Sequence, residues 1–346
     1  ARGAGVVLAA DYLIVTHKDF IAAAKQLSRF HRARGLRTRI VTTELAYDLF
    51  GHGRPSPRAI RNIIREAGPA YVLLLGGATV DSNDYLGEGN TDFVPAPFVK
   101  TSGFGYEAAA DGWFAPVGVA VGRLAVRSSA EATTVVEKIT SWHGSHQPAG
   151  SALFVADRDE AIQECFEDMA DSLIGTCVPG SLHPERLFVR SSQDPGGDFS
   201  ALVGQGMDVV TFMGHAFLTG WSNPPMVTTE SAGRFTNEHL FLLLSFSCFD
   251  GAFTGPWGES LSWALVSNPD GGALAAVAAS SLTNPSAVEL LSEQILCQLT
   301  SGEAATFGEA LAKAERMLSG LSPALDDVIS TFNLLGDPAT PNPWAE

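Results

Sequence analysis

Short apolar runs recur along the chain at residues 12–16, 38–42, 71–75, 152–156, 208–213, 241–247 and 272–279, each of strand length and bounded by polar or turn-forming residues. Between them, segments 19–34, 57–67, 130–143, 160–174, 258–266 and 286–299 carry apolar residues three and four apart, the period of one helix face. Strand alternating with helix predicts an α/β fold of mainly parallel sheets covered by helices on both sides. The breaker cluster Gly-Ser-His-Gln-Pro-Ala-Gly at 144–150 interrupts the alternation, which then restarts. It predicts two α/β subdomains, residues 1–148 and 149–346. Residues 76–90 read as an acidic, glycine-containing loop and 191–197 as a Pro/Gly loop. Ser301 and Ser322, the latter followed by Pro323, are expected N-caps of two final helices before a turn at 333–338.

At 346 residues and 45% hydrophobic content the chain can bury a large core. The balance of 22 basic and 38 acidic residues, a net charge of -16, repels phosphate backbones and anionic lipid surfaces, so nucleic acid is not expected, and without a stretch of about 20 uninterrupted apolar residues neither is membrane insertion. The first ten residues read as a cut edge, and regulatory or pro-segments are expected outside this stretch. The four cysteines, Cys165, Cys177, Cys248 and Cys297, are too few for a disulfide framework and lack metal-binding spacing. Cys165 and Cys177 could pair in an oxidising compartment, but each is expected to be a buried, unpaired thiol.

Two of the apolar runs end in reactive groups: 209–215 reads Val-Val-Thr-Phe-Met-Gly-His and 241–248 reads Phe-Leu-Leu-Leu-Ser-Phe-Ser-Cys. Ligands of open parallel sheets bind beyond the carboxyl ends of strands, so adjacent strands would turn His215 and Cys248 towards one pocket. A thiol is mostly protonated at neutral pH, and a neighbouring imidazole removes the proton or stabilises the thiolate. Gly214, Ala216 and Gly251 are small enough to admit a substrate backbone, and the amides of Ala216 and Cys248 are candidate oxyanion donors. With eight histidines and four cysteines in the chain, however, one such pair is weak evidence by itself.

Longer motifs carry more. Ser247-Cys248-Phe249-Asp250-Gly251-Ala252-Phe253, Gly258-Glu259-Ser260-Leu261, Gly271-Gly272-Ala273-Leu274-Ala275-Ala276, and Gly214-His215 followed by Trp221 resemble the nucleophile and histidine regions of the gingipain family of peptidases. Stretches at 11–16, 94–96, 110–114, 121–124 and 333–338 match further landmarks in order, so the resemblance spans nearly the whole chain. It implies a caspase-like α/β fold in two side-by-side subdomains, the second catalytic. It implies a cysteine endopeptidase with Cys248 as nucleophile and His215 as general base and acid, acting through a thioester without a required cofactor. A sortase-type transpeptidase using the same thioester, and a silent protein-binding scaffold, are the alternatives. Protein or peptide substrates follow, and export to the cell envelope or beyond is favoured over a cytoplasmic location.

Two departures stand out. Ala216 replaces the glycine usual after the family histidine, and Gly118 occupies the position aligned with the histidine-orienting acid, leaving Asp111 as the nearest substitute. A preference for basic residues would need a pocket carboxylate, for which Asp250 and Glu131 are the candidates, with Ser281 and Asn284 on the expected pocket wall. Asp81, Asp84, Glu88 and Asp92 offer oxygen ligands at irregular spacing, and the loop is read as solvated, with structural calcium as the minor alternative.

Overall fold

The computed structural model describes residues 9–145, 147–158, 165–256 and 258–345. Ten strands form its main sheet: β1 (Tyr12–Thr16), β2 (Thr38–Thr42), β3 (Tyr71–Leu75), β4 (Ala120–Leu124), β5 (Ser151–Ala156), β6 (His183–Phe188), β7 (Val209–Met213), β8 (Phe241–Phe246), β9 (Ala273–Ala279) and β10 (Phe332–Leu335). They lie in the order β2-β1-β3-β4-β10-β9-β8-β7-β5-β6. Every neighbouring pair is parallel except β9 and β10, which run antiparallel. The sheet is thus two parallel halves that point in opposite directions across one seam, with helices packed on it as the alternation predicts. β10 comes from the C-terminal end yet pairs in parallel with β4, so the sheet runs unbroken past the expected division at 148/149.

Alternation along each strand sorts its side chains between the two faces. In β1, Tyr12 and Ile14 join the main core, which runs through both halves, while Leu13 and Val15 join a smaller core under helix Pro57–Ala67. That helix starts where Ser56 accepts the Arg58 amide and Pro57 takes the first position, and it stops at Gly68, whose φ of 57° is left-handed. Its Ile60, Ile63 and Ile64 are buried, each contributing about 1.5–3 kcal/mol of apolar transfer.

Some sequence expectations need correction. Ser322 caps helix Pro323–Thr331 as expected, but Ser301 closes helix Pro285–Thr300, and the next helix, Phe307–Leu318, is capped by Thr306. The 333–338 turn contains a strand, β10, and part of the Pro/Gly loop winds into helix Pro195–Gly204. The helix expected from residue 160 is observed as Phe166–Cys177; its expected start lies outside the described residues. Cys177 is not an unpaired thiol: it is disulfide-bonded to Cys297, joining helices Phe166–Cys177 and Pro285–Thr300. Cys165 is exposed.

Two buried polar clusters brace the first half and the seam. Asp337, just beyond β10, accepts hydrogen bonds from Tyr12 Oη and pairs with His31 Nε2, both at 2.7 Å. Arg123, inside β4, forms a two-pronged pair with Asp111 at 2.6 and 2.7 Å and donates to the carbonyls of Gly76 and Val94. Its guanidinium also lies 4.7 Å from the centre of the Phe253 ring, tying this pair to the loop after Cys248. Among the described residues no helix is long and apolar enough to cross a membrane.

Candidate active site

β7 lies between β8 and β5, and Met213 at its end is level with Phe246 and Ala156. His215 and Cys248 each stand two residues beyond that line, on strands about 4.8 Å apart. They therefore leave the same edge at the same height. His215 is exposed and Cys248 is half-buried. The imidazole meets the Phe166 ring edge-on at 5.4 Å, and Cys248 Sγ lies 3.4 Å from Thr283 Oγ1.

The backbone around His215 is clamped from both sides. Asp157 follows β5 directly and is 3% exposed; its amide donates to the Met213 carbonyl at 2.9 Å. Its Oδ2 accepts the His215 amide at 3.2 Å, and its Oδ1 accepts the Ser222 hydroxyl at 2.5 Å. Ser222 in turn donates its own amide to the His215 carbonyl at 2.8 Å. A Cβ on Gly214 would fall 2.3 Å from Asp157 Cβ. Gly214 is thus required by this clamp and not, as expected, to clear space for a substrate backbone.

Residues 216–221 form a tight hairpin in which Ala216 faces Trp221. The Ser222–His215 bond makes the next pair along a hydrogen-bonded one, so by alternation Ala216 sits at a non-bonded position with its N–H turned away from the hairpin. Trp221 stacks on Phe212 with ring centres 4.4 Å apart, fixing the hairpin to β7.

The turn after Cys248 is as closely held. Phe249 adopts a φ of 59°, an uncommon region for a bulky side chain, and its amide donates to Ser281 O at 3.1 Å. The amides of Asp250 and Gly251 go to Cys248 O and Ala279 O at 2.8 and 3.0 Å. A Cβ on Gly251 would lie 2.7 Å from the Ala278 backbone, so this glycine too serves internal packing. Among the described residues no acceptor takes the Cys248 amide, which leaves it and the Ala216 amide as donors that can serve an incoming oxyanion.

The other candidates fall elsewhere. Asp250 is wholly buried: its Oδ2 accepts from Trp221 Nε1, Ser245 Oγ and Ser262 Oγ at 2.8, 2.5 and 3.2 Å. Burial pushes its carboxyl up to about 6, against the hydrogen bonds from Ser245, Trp221, Ser247 and Ser262. Glu131 opens helix Ser129–Ser145, where it accepts the Arg127 amide at 2.6 Å and Trp263 Nε1 at 3.1 Å; burial raises its carboxyl above the ordinary range. Both carboxylates are engaged by groups of the protein itself. Asn284 caps helix Pro285–Thr300, and the Ser281 side chain is buried, but their loop does lie against the Cys248 turn through Ser281 O and Thr283.

Asp111 gives both carboxylate oxygens to Arg123 and does not meet His215. Gly118 lies just before β4, four strands from β7 and so about 19 Å along the edge, with a φ of 94°; a carboxylate there would not reach His215. Three acids of the 76–90 loop and its flank accept loop amides: Asp81 those of Tyr85 and Leu86, Asp84 that of Gly89 and Asp92 that of Thr79, while Glu88 is exposed. Among the described residues no three His, Cys, Asp or Glu side chains gather as a metal set. Sequence reasoning missed Asp157. The signal for Asp157 was the one that gave His215 and Cys248, a polar residue directly after a buried apolar run.

A sequence profile of peptidase family C25 matches residues 7–343. A search of curated proteins by sequence finds no match. The fold is similar to the crystal structure of the Arg-specific cysteine proteinase gingipain R, with a TM-score of 0.75 at 16% identity, covering 98% of this chain and 79% of that one. It is similar also to the complex of Porphyromonas gingivalis RgpB pro- and mature domains, with a TM-score of 0.73 at 16% identity and coverage of 96% and 79%. A third structure, described as a protease, gives 0.75 at 13% identity and coverage of 96% and 78%.

Proposed function

Because the chain belongs to peptidase family C25 and is therefore a cysteine peptidase, we propose that it is an endopeptidase whose nucleophile is Cys248 and whose general base is His215. The single observation that supports this most is the register: both residues stand two positions past a paired level on adjacent parallel strands. His215 takes the thiol proton, and the Cys248 sulfur attacks the scissile carbonyl. The Ala216 and Cys248 amides receive the oxyanion. The imidazolium then protonates the leaving amine as the thioester forms, and a water deprotonated by His215 releases the acid. This scheme uses no metal or organic cofactor.

A preference for basic residues, as in the Arg-specific gingipain R, needs a carboxylate at the base of the pocket. Asp250 is buried with Oδ2 engaged, and the half-buried Glu131 is held by the Arg127 amide and Trp263 Nε1, so neither is offered as that carboxylate. Transpeptidation differs only in the amine that resolves the thioester. The complex of RgpB pro- and mature domains supports the reading that a pro-segment is a partner of this domain. The Cys177–Cys297 bond supports an oxidising, extracytoplasmic location.

The test is cleavage of a fluorogenic peptide library, varied before the scissile bond, by wild type and Cys248→Ala, with and without an added amine. Cleavage lost in the variant supports the peptidase, and amine-capped products support transfer. Equal, residual signal from both proteins would sink the catalytic reading and favour a scaffold.

A further inference from the structure

The histidine and the nucleophile sit on separate loops, and hydrogen bonding within the sheet fixes only the strands beneath them. Something else has to set the loops against each other. Asp250 is 0% exposed and lies two residues after Cys248, with its amide donating to the Cys248 carbonyl at 2.8 Å. One of its oxygens, Oδ2, gathers donors from three elements: Trp221 Nε1 of the histidine hairpin at 2.8 Å, Ser245 Oγ of β8 at 2.5 Å, and Ser262 Oγ of helix Leu261–Ser267 at 3.2 Å. That helix is tied to the same two loops by backbone, since Ser262 N donates to Asp250 O at 2.9 Å and Leu261 N to Leu218 O at 2.8 Å. The second oxygen, Oδ1, is buried without a hydrogen-bond partner. Burying a carboxyl this way is costly, and a side chain kept merely to fill space would not carry it.

We infer that Asp250 is a positioning residue that sets the histidine hairpin against the nucleophile turn by holding Trp221. The lever is short. Trp221 faces Ala216 across the hairpin, and the next residue, Ser222, holds the His215 carbonyl. Release of the indole therefore moves an oxyanion amide and the general base together. This inference rests on the proposed roles of His215 and Cys248. It concerns the transition-state geometry more than substrate binding, so kcat is the quantity it touches.

The experiment compares wild type, Asp250→Ala, Asp250→Asn, Trp221→Phe and the double variant Asp250→Ala/Trp221→Phe. It reads kcat and KM for peptide cleavage, and the pH profile of Cys248 alkylation by iodoacetamide. Wild type is expected to alkylate at mildly acidic pH, as an activated thiolate does. Asp250→Ala should lose that acidic limb and about 10²-fold in kcat, the scale of a misplacement of about 1 Å, with KM changed less than about threefold. Asp250→Asn keeps the acceptor oxygen and should retain the limb and at least about a tenth of kcat. Trp221→Phe should repeat the alanine loss, and the double variant should be no worse than either single.

An alanine variant with the wild-type profile and kcat would overturn the inference. So would an asparagine variant as damaged as alanine, which would make charge the function of Asp250, or additive losses in the double variant. If Asp250→Ala does not fold, Trp221→Phe, which lacks only the indole donor's side of the contact, decides the matter in the same way. A wild type that alkylates as an ordinary thiol and cleaves nothing overturns the catalytic reading itself, an outcome distinct from all of these.

Discussion

Past β1, β2 and β3 the chain sets His17, Glu44 and Thr79 around a cavity of about 710 Å3, also lined by Tyr47 and Asp92, whereas past β5, β7 and β8 it sets Asp157, His215 and Cys248. Both halves of the sheet thus place a histidine just beyond a strand. His17 accepts the Asp19 amide at Nδ1 and has Nε2 3.4 Å from Glu44 Oε1, so its ring is occupied by its own surroundings. All four cysteines lie beyond residue 148, and His17 has no thiol to serve. In the second half the buried carboxyls of Asp157 and Asp250 hold loop backbone and the hairpin indole, and His215 is exposed at the sheet edge. In the first half and at the seam, the comparable buried acids, Asp337 and Asp111, hold side chains from distant parts of the chain. A strand-end histidine becomes chemical through what fixes the chain around it, and the same polar residues spent differently yield stability.

The strongest test of that contrast is Cys248→Ala, which is expected to lower peptide cleavage by more than about 10⁴-fold in a continuous assay, with His215→Ala within about tenfold of it because members of such a unit do not act additively. A smaller but large effect is expected at the seam. Asp337→Ala strips the partner from Tyr12 and His31 in a buried cluster and should cost about 3–5 kcal/mol in urea unfolding, whereas cleavage measured well below the melting point is retained.

Asp250 gives the third. Its folded value of about 6 stands above the ordinary 3.8, so its contribution to stability is fully present below about pH 3.8 and is lost as pH rises through about 6. The difference of about 2 units is about 3 kcal/mol. Unfolding measured between about pH 4 and pH 7 should show wild type losing stability relative to Asp250→Asn across that window, and parallel curves would refute the assignment. The smallest effect is expected of His17→Ala: cleavage within about twofold of wild type and a stability change under about 1 kcal/mol. A larger loss of activity would mean that the first-half cavity takes part in the reaction.

Much of this was legible from apolar periodicity. Three strands fall at their predicted bounds and four more within one residue, because a buried strand of a parallel sheet is a nearly continuous apolar run. The strands that escaped have physical reasons. β6 is an edge strand with Pro184, Glu185 and Arg186, the polar character edges carry. β4 hides behind Gly122 and Arg123, an arginine made tolerable in mid-sheet by Asp111 and the carbonyls of Gly76 and Val94. β10 is four residues long and becomes central only through partners far away in the chain. The proposed catalytic pair could be singled out from sequence since each residue ends a run. The clamp by Asp157 and Ser222, the inward turn of Asp250 and the Cys177–Cys297 pairing depend on which strands become neighbours, and spacing does not encode that.

The disulfide has a consequence for how the molecule is handled. On the proposed mechanism Cys248 works as a free thiol, while Cys177 and Cys297 are bonded to each other. Helix Phe166–Cys177 begins with the ring that abuts His215 and ends in the bond; helix Pro285–Thr300, which follows the loop against Cys248, carries the other end. Cys177 is buried and Cys297, like Cys248, half-buried, so the bond offers a small thiol only one approachable sulfur of its two. Along a titration with dithiothreitol, activity should therefore climb as the nucleophile is freed from adventitious oxidation and decline again once the two helices are uncoupled, so that reducing power itself has an optimum.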